Sequence, residues 1–260
     1  MPSVIESIQN WMQSRSVPSS PSTGYSPSDA LVQEIESIPL VKKLIDTNMI
    51  VIPFRPDVVD QASDTDNSAE FLKLPGGKAL NITSRNENPN LWSHSLVRGP
   101  TLYGDKRIEY AIQAYDTKDQ VLINIARFGQ DVAGHPNVVH GGLQAAFFDD
   151  SFGTMFAVAA KGDFTGVTAN LNINYRSPMY APATVAFVLW VEKIEGRKVF
   201  LKAEARSIPT EADTEATTDG DSPQEFKSIG EKWIGKGSVL FGEATALFIK
   251  VSKEQLEQKK

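Results

Sequence analysis

The stretch from Gly141 to Ala160, GGLQAAFFDDSFGTMFAVAA, constrains the fold more than any other part of this 260-residue chain. It is apolar on nearly every face and long enough for about five helical turns. A helix of that kind has no solvent face to offer, so it belongs inside a core. Other elements must wrap it.

The segments around it read as strands. Arg107 to Ala114 alternates, with Ile108, Tyr110 and Ile112 on one face. Asp116 to Asp119 has turn chemistry, and Gln120 to Phe128 is a second β-rich run, so the two form a hairpin. Val167 to Tyr175 also alternates. Val167, Ala169, Leu171, Ile173 and Tyr175 fall on one face, and Thr168, Asn170, Asn172 and Asn174 on the other. Thr184 to Ile194, a two-residue turn at Glu195-Gly196, and Lys198 to Arg206 make a second hairpin. Ser238 to Val251 is the last strand. One buried helix among consecutive antiparallel strands predicts an α+β fold, a single curved sheet wrapped around one central helix. Such a sheet leaves an edge and an open face, and pairing two subunits would cover both.

The rest of the chain is less regular. Residues 13–28 are rich in Ser and Pro and read as a linker. Residues 29–46 have the apolar spacing of a short amphipathic helix, interrupted by Pro39. Asp57 to Glu70 is polar, and Pro75-Gly76-Gly77 marks a turn. Six of the 32 acids lie between Pro209 and Glu225, a stretch without a base. The segment is too poor in apolar residues to offset its ordering entropy, so it reads as a disordered insertion between strands.

Charge and composition exclude several functions. Outside the acidic stretch the remaining 26 acids balance the 26 bases, which gives no basic footprint for nucleic acid. No apolar run reaches the ~18–20 residues of an integral membrane segment. The beginning of the chain has neither a secretory pattern nor an Arg-rich, acid-poor transit pattern, so a cytoplasmic location is expected, with mitochondrial as the alternative. There are no cysteines, which removes disulfides, thiolate metal sites and cysteine nucleophiles. The three histidines are His94, His135 and His140; His135 and His140 lack a third nitrogen ligand nearby, so no metal and no cofactor are expected.

Three places have the chemistry of a site. His140-Gly141-Gly142 begins the long helix, where unpaired amides and the positive end of the dipole suit an oxyanion or phosphate. The same residues would also serve as a plain lead-in turn. Asp149 lies among Ala145, Ala146, Phe152 and Gly153 at three- and four-residue spacing, and a carboxylate on an apolar face is costly unless paired or used. Asp150 has a slightly more polar surrounding. Thr168 is placed to hold a water or a carboxylate oxygen. Asn170, Asn172 and Asn174 read first as a polar sheet face.

The stretch VVHGGLQAAFFDDSFGTMFAVAAKGDFTGVTANLNINYRSPMYAPATV, followed by VEKIEGRKVFLKAEA and GEATALFIKV, resembles the hotdog-fold acyl-CoA thioesterases. It is most similar to the PaaI-like superfamily, in the fungal type of the thioesterase superfamily member 4-like branch. The resemblance runs from about Leu96 to Val251 and rests on HGG, an Asp nine residues after the His, TANLNINYRSP and EGRK in combination. It implies a hotdog domain over 96–251 with the acidic insertion at 209–225, preceded by an extension over 1–95 and followed by a charged tail over 252–260. It implies hydrolysis of acyl-CoA in a homodimer or a dimer of dimers. Carried over, Asp149 matches the catalytic carboxylate, Gly141 the glycine whose N–H polarises the thioester carbonyl, His140 the histidine shaping that turn, and Thr168 the hydroxyl near the attacking water. Gly141 and Asp149 would meet across the dimer.

Substrate contacts are expected at Gly142, Asn137, Phe148, Phe152 and Asn172. Phe147, Phe148, Phe152 and Phe156 are the candidates for an acyl channel, against ordinary core packing. Two departures stand out. Gly134 occupies the position six residues before the His, where many relatives carry Asn, and Asp150 replaces what is often a small residue. The rival readings are a non-catalytic acyl-CoA or lipid-binding module and an enoyl-CoA hydratase. The hydratase generally needs a paired His, and none follows Asp149 along the helix.

Overall fold

The computed structural model describes residues 25, 27–46, 49–53, 95–160, 164–209 and 226–252. In chain order its elements are helices α1 (Asp29–Ser37) and α2 (Pro39–Asp46), strands β1 (Ile50–Pro53), β2 (Ile108–Asp116) and β3 (Val121–Phe128), and the short strands β4 (Ala133–His135) and β5 (Val138–Val139). There follow α3 (Gly141–Ala160), β6 (Phe164–Tyr175), β7 (Ala183–Glu195), β8 (Lys198–Ser207), α4 (Ile229–Ile234) and β9 (Leu240–Ser252).

Seven strands form one antiparallel sheet in the order β1-β2-β3-β7-β8-β9-β6. It curves around α3, the helix that the apolar run predicts. Phe147, Phe148, Phe152, Met155 and Val158 of α3 are fully buried against the inner face. Phe187 on β7 is the hub of this layer: its ring lies 4.7 Å from that of Phe147 and 5.0 Å from that of Phe148. Edge-to-face and tilted ring contacts of this kind add to the burial of each side chain. β4 and β5 form a separate small hairpin that feeds the chain into α3.

The outer face departs from the sequence expectation. Over β2, β3 and β7 it is not open for a partner. Ala114, Val121, Ile123, Ile125, Ala186 and Val188 are covered by Ile35 of α1, Val41 and Leu44 of α2, Met49, and Ile234 of α4. The two N-terminal helices are well specified locally. Ser28 caps α1, its hydroxyl accepting from the Leu31 N–H at 3.2 Å. Pro39 begins α2, where its missing N–H costs nothing. The single interrupted helix expected over 29–46 is therefore two. β1 pairs along β2 and covers the edge that β2 would otherwise expose. α4 was not foreseen, although Ser228 and Glu231 have capping-box spacing: the Ser228 hydroxyl accepts from the Glu231 N–H at 3.0 Å.

Two strand details also differ. The β7–β8 turn is Gly196-Arg197, since Glu195 pairs with Lys198, and Gly196 takes the left-handed φ of 58° that the turn requires. On β6 the expected single row of Thr168 and the asparagines is broken by a bulge. Thr168 pairs with Phe248 and Asn170 with Leu247, which leaves Ala169 as an extra residue. The bulge turns Thr168 to the inner side, while Asn170, Asn172 and Asn174 stay outside. The readings made for Asp57 to Glu70, Pro75-Gly76-Gly77, His94, the acidic insertion from Thr210, most of residues 13–28 and the tail after Ser252 lie outside the described residues. Among the described residues no helix is long and apolar enough to cross a membrane.

Candidate active site

The start of α3 is fixed, not a loose lead-in. Backbone bonds hold its approach: the Val139 N–H donates to the Met179 carbonyl at 2.9 Å, the His140 N–H to Val132 at 2.8 Å, and the Ala181 N–H to Asn137 at 2.8 Å. Gln144 adds its side-chain amide to the Val139 carbonyl at 3.1 Å. His140 then acts as the cap. Its Nδ1 accepts from the Gly142 N–H at 2.8 Å, which places the neutral ring's proton on Nε2. Gly134 makes room for this ring, since a Cβ there would fall 2.3 Å from His140 Cδ2. With Gly142 satisfied by the imidazole, the Gly141 N–H has no hydrogen-bond partner among the described residues. Its carbonyl, by contrast, accepts from the Tyr175 hydroxyl at 2.7 Å.

Asp149 lies farther along α3 and is half-buried. The Thr168 hydroxyl donates to its Oδ1 at 2.8 Å, a contact that the β6 bulge makes possible. Both residues line a cleft of about 320 Å³, floored by Gly153, Phe156 and Phe248 and walled by Ser95, Leu96 and Val97. Gly166 is required beside it, because a Cβ there would lie 2.4 Å from the Phe156 ring. One hydroxyl donor on a partly exposed carboxylate inside an open cleft leaves that carboxylate able to take a proton from water or to attack an electrophile.

Asp150 is held differently. Arg98, with 0% of its side chain exposed, reaches Asp150 Oδ2 through Nε at 2.8 Å and Nη2 at 2.7 Å, and Nη2 also donates to the Thr154 hydroxyl at 2.8 Å. The adjacent carboxylates thus have distinct partners, a hydroxyl for Asp149 and a guanidinium for Asp150.

The structure brings together some of the expected site residues and separates others. Asp149 and Thr168 meet, and His140, Gly141 and Gly142 meet. Phe148 and Phe152 are fully buried and face the sheet; Phe156 is the aromatic on the cleft. Helical phase explains this: Asp149, Gly153 and Phe156 share one stripe, and Phe148 and Phe152 lie around the helix from it. Asn137 is exposed at the β4–β5 turn with a left-handed φ of 59°. Asn172 is on the outer face, away from Asp149. Sequence reading missed Tyr175 as a contact of the helix start and Arg98 as the partner of Asp150. Tyr175 carried a signal, sharing its face with Leu171 and Ile173; Arg98 carried none.

Residues 136–212 match the family model described as Thioesterase superfamily, a span that includes His140, Gly141, Asp149 and Thr168. Acyl-coenzyme A thioesterase THEM4 of Mus musculus is 31% identical over 56% of this chain and 50% of its own length. The Bos taurus protein of the same name is 29% identical over 49% of this chain and 40% of its own. A protein of Candida albicans named "Uncharacterized protein, mitochondrial" is 24% identical over 63% and 72%. The chain spans about half or less of the length of the thioesterase relatives it matches first. The matched segment contains α3, which carries Asp149, and β6, which carries Thr168, so the part of the chain that is similar to the thioesterase superfamily is the part that builds this site.

Proposed function

We propose that the protein hydrolyses acyl-CoA thioesters with Asp149 as the working carboxylate. The observation that carries this reading is the Thr168–Asp149 contact in an open cleft, inside a segment that matches the thioesterase-superfamily model. Thr168 occupies Oδ1, so Oδ2 is the oxygen offered to the chemistry. By one route Oδ2 takes a proton from water as the water oxygen bonds to the acyl carbon. The C–S bond then breaks and the proton passes to the departing CoA thiolate. By the other, Oδ2 itself bonds to the acyl carbon as the C–S bond breaks, CoA leaves as thiolate and takes a proton from solvent, and water opens the resulting anhydride to the free acid, the Asp149 carboxylate and a proton. Single turnover in oxygen-18 water identifies the second route where water opens the anhydride at the Asp149 carboxyl carbon, because the first route never places label in Asp149.

The oxyanion donor in this reading is the Gly141 N–H. Within one chain it lies eight residues before Asp149, about 12 Å along the helix axis. A single carbonyl cannot bond to the one and be attacked from the other across that gap, so a second subunit supplies the Gly141 turn. β6 is the surface for this pairing. It is a 12-residue strand at the sheet's edge, bonded among the described residues to β9 alone. Exposed apolar side chains gather around it: Val167 and Tyr175 on the strand, Tyr180 after it, and Leu96 across the cleft. Long bare edges of this kind invite pairing. The functional unit proposed is a homodimer with two shared sites.

Thiol release from acyl-CoAs of varied chain length, for the wild type and Asp149→Asn, tests the activity. Release by the wild type that Asp149→Asn abolishes supports the reading. Binding of acyl-CoA without release favours the non-catalytic module. Fractionation of cells expressing the tagged full-length protein separates the cytoplasmic location proposed here from a mitochondrial one, which the name of the Candida relative suggests.

A further inference from the structure

We propose that Tyr175 is a positioning residue for the reaction: its hydroxyl and the His140 ring hold the Gly141–Gly142 peptide from its two ends and so aim the Gly141 N–H. The inference rests on the reading of that N–H as the oxyanion donor. The peptide held in this way follows the donor directly. Its carbonyl, on Gly141, accepts from the Tyr175 hydroxyl at 2.7 Å, and its N–H, on Gly142, donates to His140 Nδ1 at 2.8 Å. A peptide unit is planar, so holding both ends fixes its plane. Only the two backbone rotations of Gly141 then separate that plane from the donor.

The two glycines and the two rings belong together. A Cβ at Gly141 would lie 3.3 Å from Tyr175 Cζ and Oη, and one at Gly142 would lie 2.9 Å from His140 Nδ1. Each glycine thus admits one ring. Glycine also has more backbone freedom than any other residue, and two in the first turn of a helix would let the donor swing. The rings take that freedom away. Tyr175 stands on a firm base for this. It pairs with Gly242 of β9, and the two residues after it are tied back: the Arg176 and Ser177 N–H groups donate to the Phe241 carbonyl at 2.8 and 3.2 Å, and Arg176 Nε donates to Glu243 at 3.0 Å.

Tyr175→Phe keeps the ring, which is 52% exposed, and removes one oxygen. With the donor less well aimed, kcat should fall about tenfold, short of the roughly 10²–10³ lost when an oxyanion donor is deleted, while KM stays within about twofold. Two unreactive analogues separate aim from general damage. In a ketone analogue a methylene replaces the thioester sulfur and the carbonyl oxygen remains; in a thioether analogue a methylene replaces the carbonyl. Tyr175→Phe should weaken the ketone about threefold relative to the thioether. A purely structural role predicts equal weakening of both with a lowered melting temperature; that result, or an unchanged kcat, overturns the proposal. Gly142→Ala presses on the imidazole at the other end of the peptide and should give the same split between kcat and KM, which covers the case in which Tyr175→Phe fails to fold; full kcat in Gly142→Ala overturns the clamp. Exchange of the Gly142 amide proton, read by NMR without substrate, should quicken about tenfold in Tyr175→Phe. A wild type that releases no CoA removes the hydrolase reading, and the exchange rate still decides the clamp, which equal rates in the two proteins overturn.

Discussion

Over β2, β3 and β7 the two faces of the sheet are both apolar and both covered, but by parts of the chain with different relations to the chemistry. The inner face closes on α3, which lies within residues 136–212 and carries Asp149. The outer face closes on α1, α2 and α4, which lie outside that span. Covering the inner face and building the site are therefore one act of folding. Covering the outer face is separable from it, a packing layer without a residue on the cleft.

Asp149→Asn should cost about 10²–10⁴ in turnover, the range for losing a general base, with little change in melting temperature. The thiol-release assay and a thermal melt read the two halves. An inner-face variant that lost activity only in proportion to lost stability would break the contrast. Ile35→Ala does the reverse on the outer face. Ile35 is fully buried against the sheet, so truncation should destabilise by about 2–5 kcal/mol. Its kcat per folded molecule should stay at the wild-type value at a temperature well below the melt. A kcat loss there would show that the outer cover reaches the site.

Gly153→Ala sharpens the comparison at the rim of the inner face. A Cβ at Gly153 meets nothing within 4 Å, and the residue lines the cleft. Alanine should add up to about 1 kcal/mol of stability through helix propensity. It should also narrow the cleft, raising KM most for the bulkiest acyl groups. A uniform change across acyl-CoAs would place the acyl group elsewhere. The smallest effect belongs to deletion of Thr210 to Gln224, which should leave the melting temperature and turnover nearly unchanged, as expected of a polar insertion with little to bury. A large drop in melting temperature would show that the segment is docked.

Legibility in the sequence follows the range of the interactions. α3 was readable because a long run apolar on all sides has few places to go. The inner strands were readable through alternation. Asp149 stood out because its own helix offers it no polar neighbour at three or four residues. Thr168 was named, yet its strand pattern put it on the wrong face: the bulge depends on how β6 registers against β9, which no local pattern encodes. Arg98 bonds to Asp150 across 52 residues, from a turn without periodicity. The outer cover was missed because α1 and α2 are short and their partner strands lie more than fifty residues later. Phe148 and Phe152 were candidates for the acyl path through the resemblance to thioesterases, with core packing as the alternative, and helical phase buries both against the sheet.

The central claim is a site shared between two subunits, with the Gly141 amide of one serving the Asp149 carboxylate of the other. Co-expression of Asp149→Asn with Gly141→Val tests it most directly. A Cβ at Gly141 would already crowd the Tyr175 ring at 3.3 Å, so valine disturbs the turn while leaving Asp149 in place. Each variant alone should be inactive. Random pairing makes half of the dimers mixed, and each mixed dimer holds one site with both intact residues, so about a quarter of wild-type activity should return. Mixed dimers that form and stay as inactive as their parents, or an active monomer in sedimentation, would contradict the shared site.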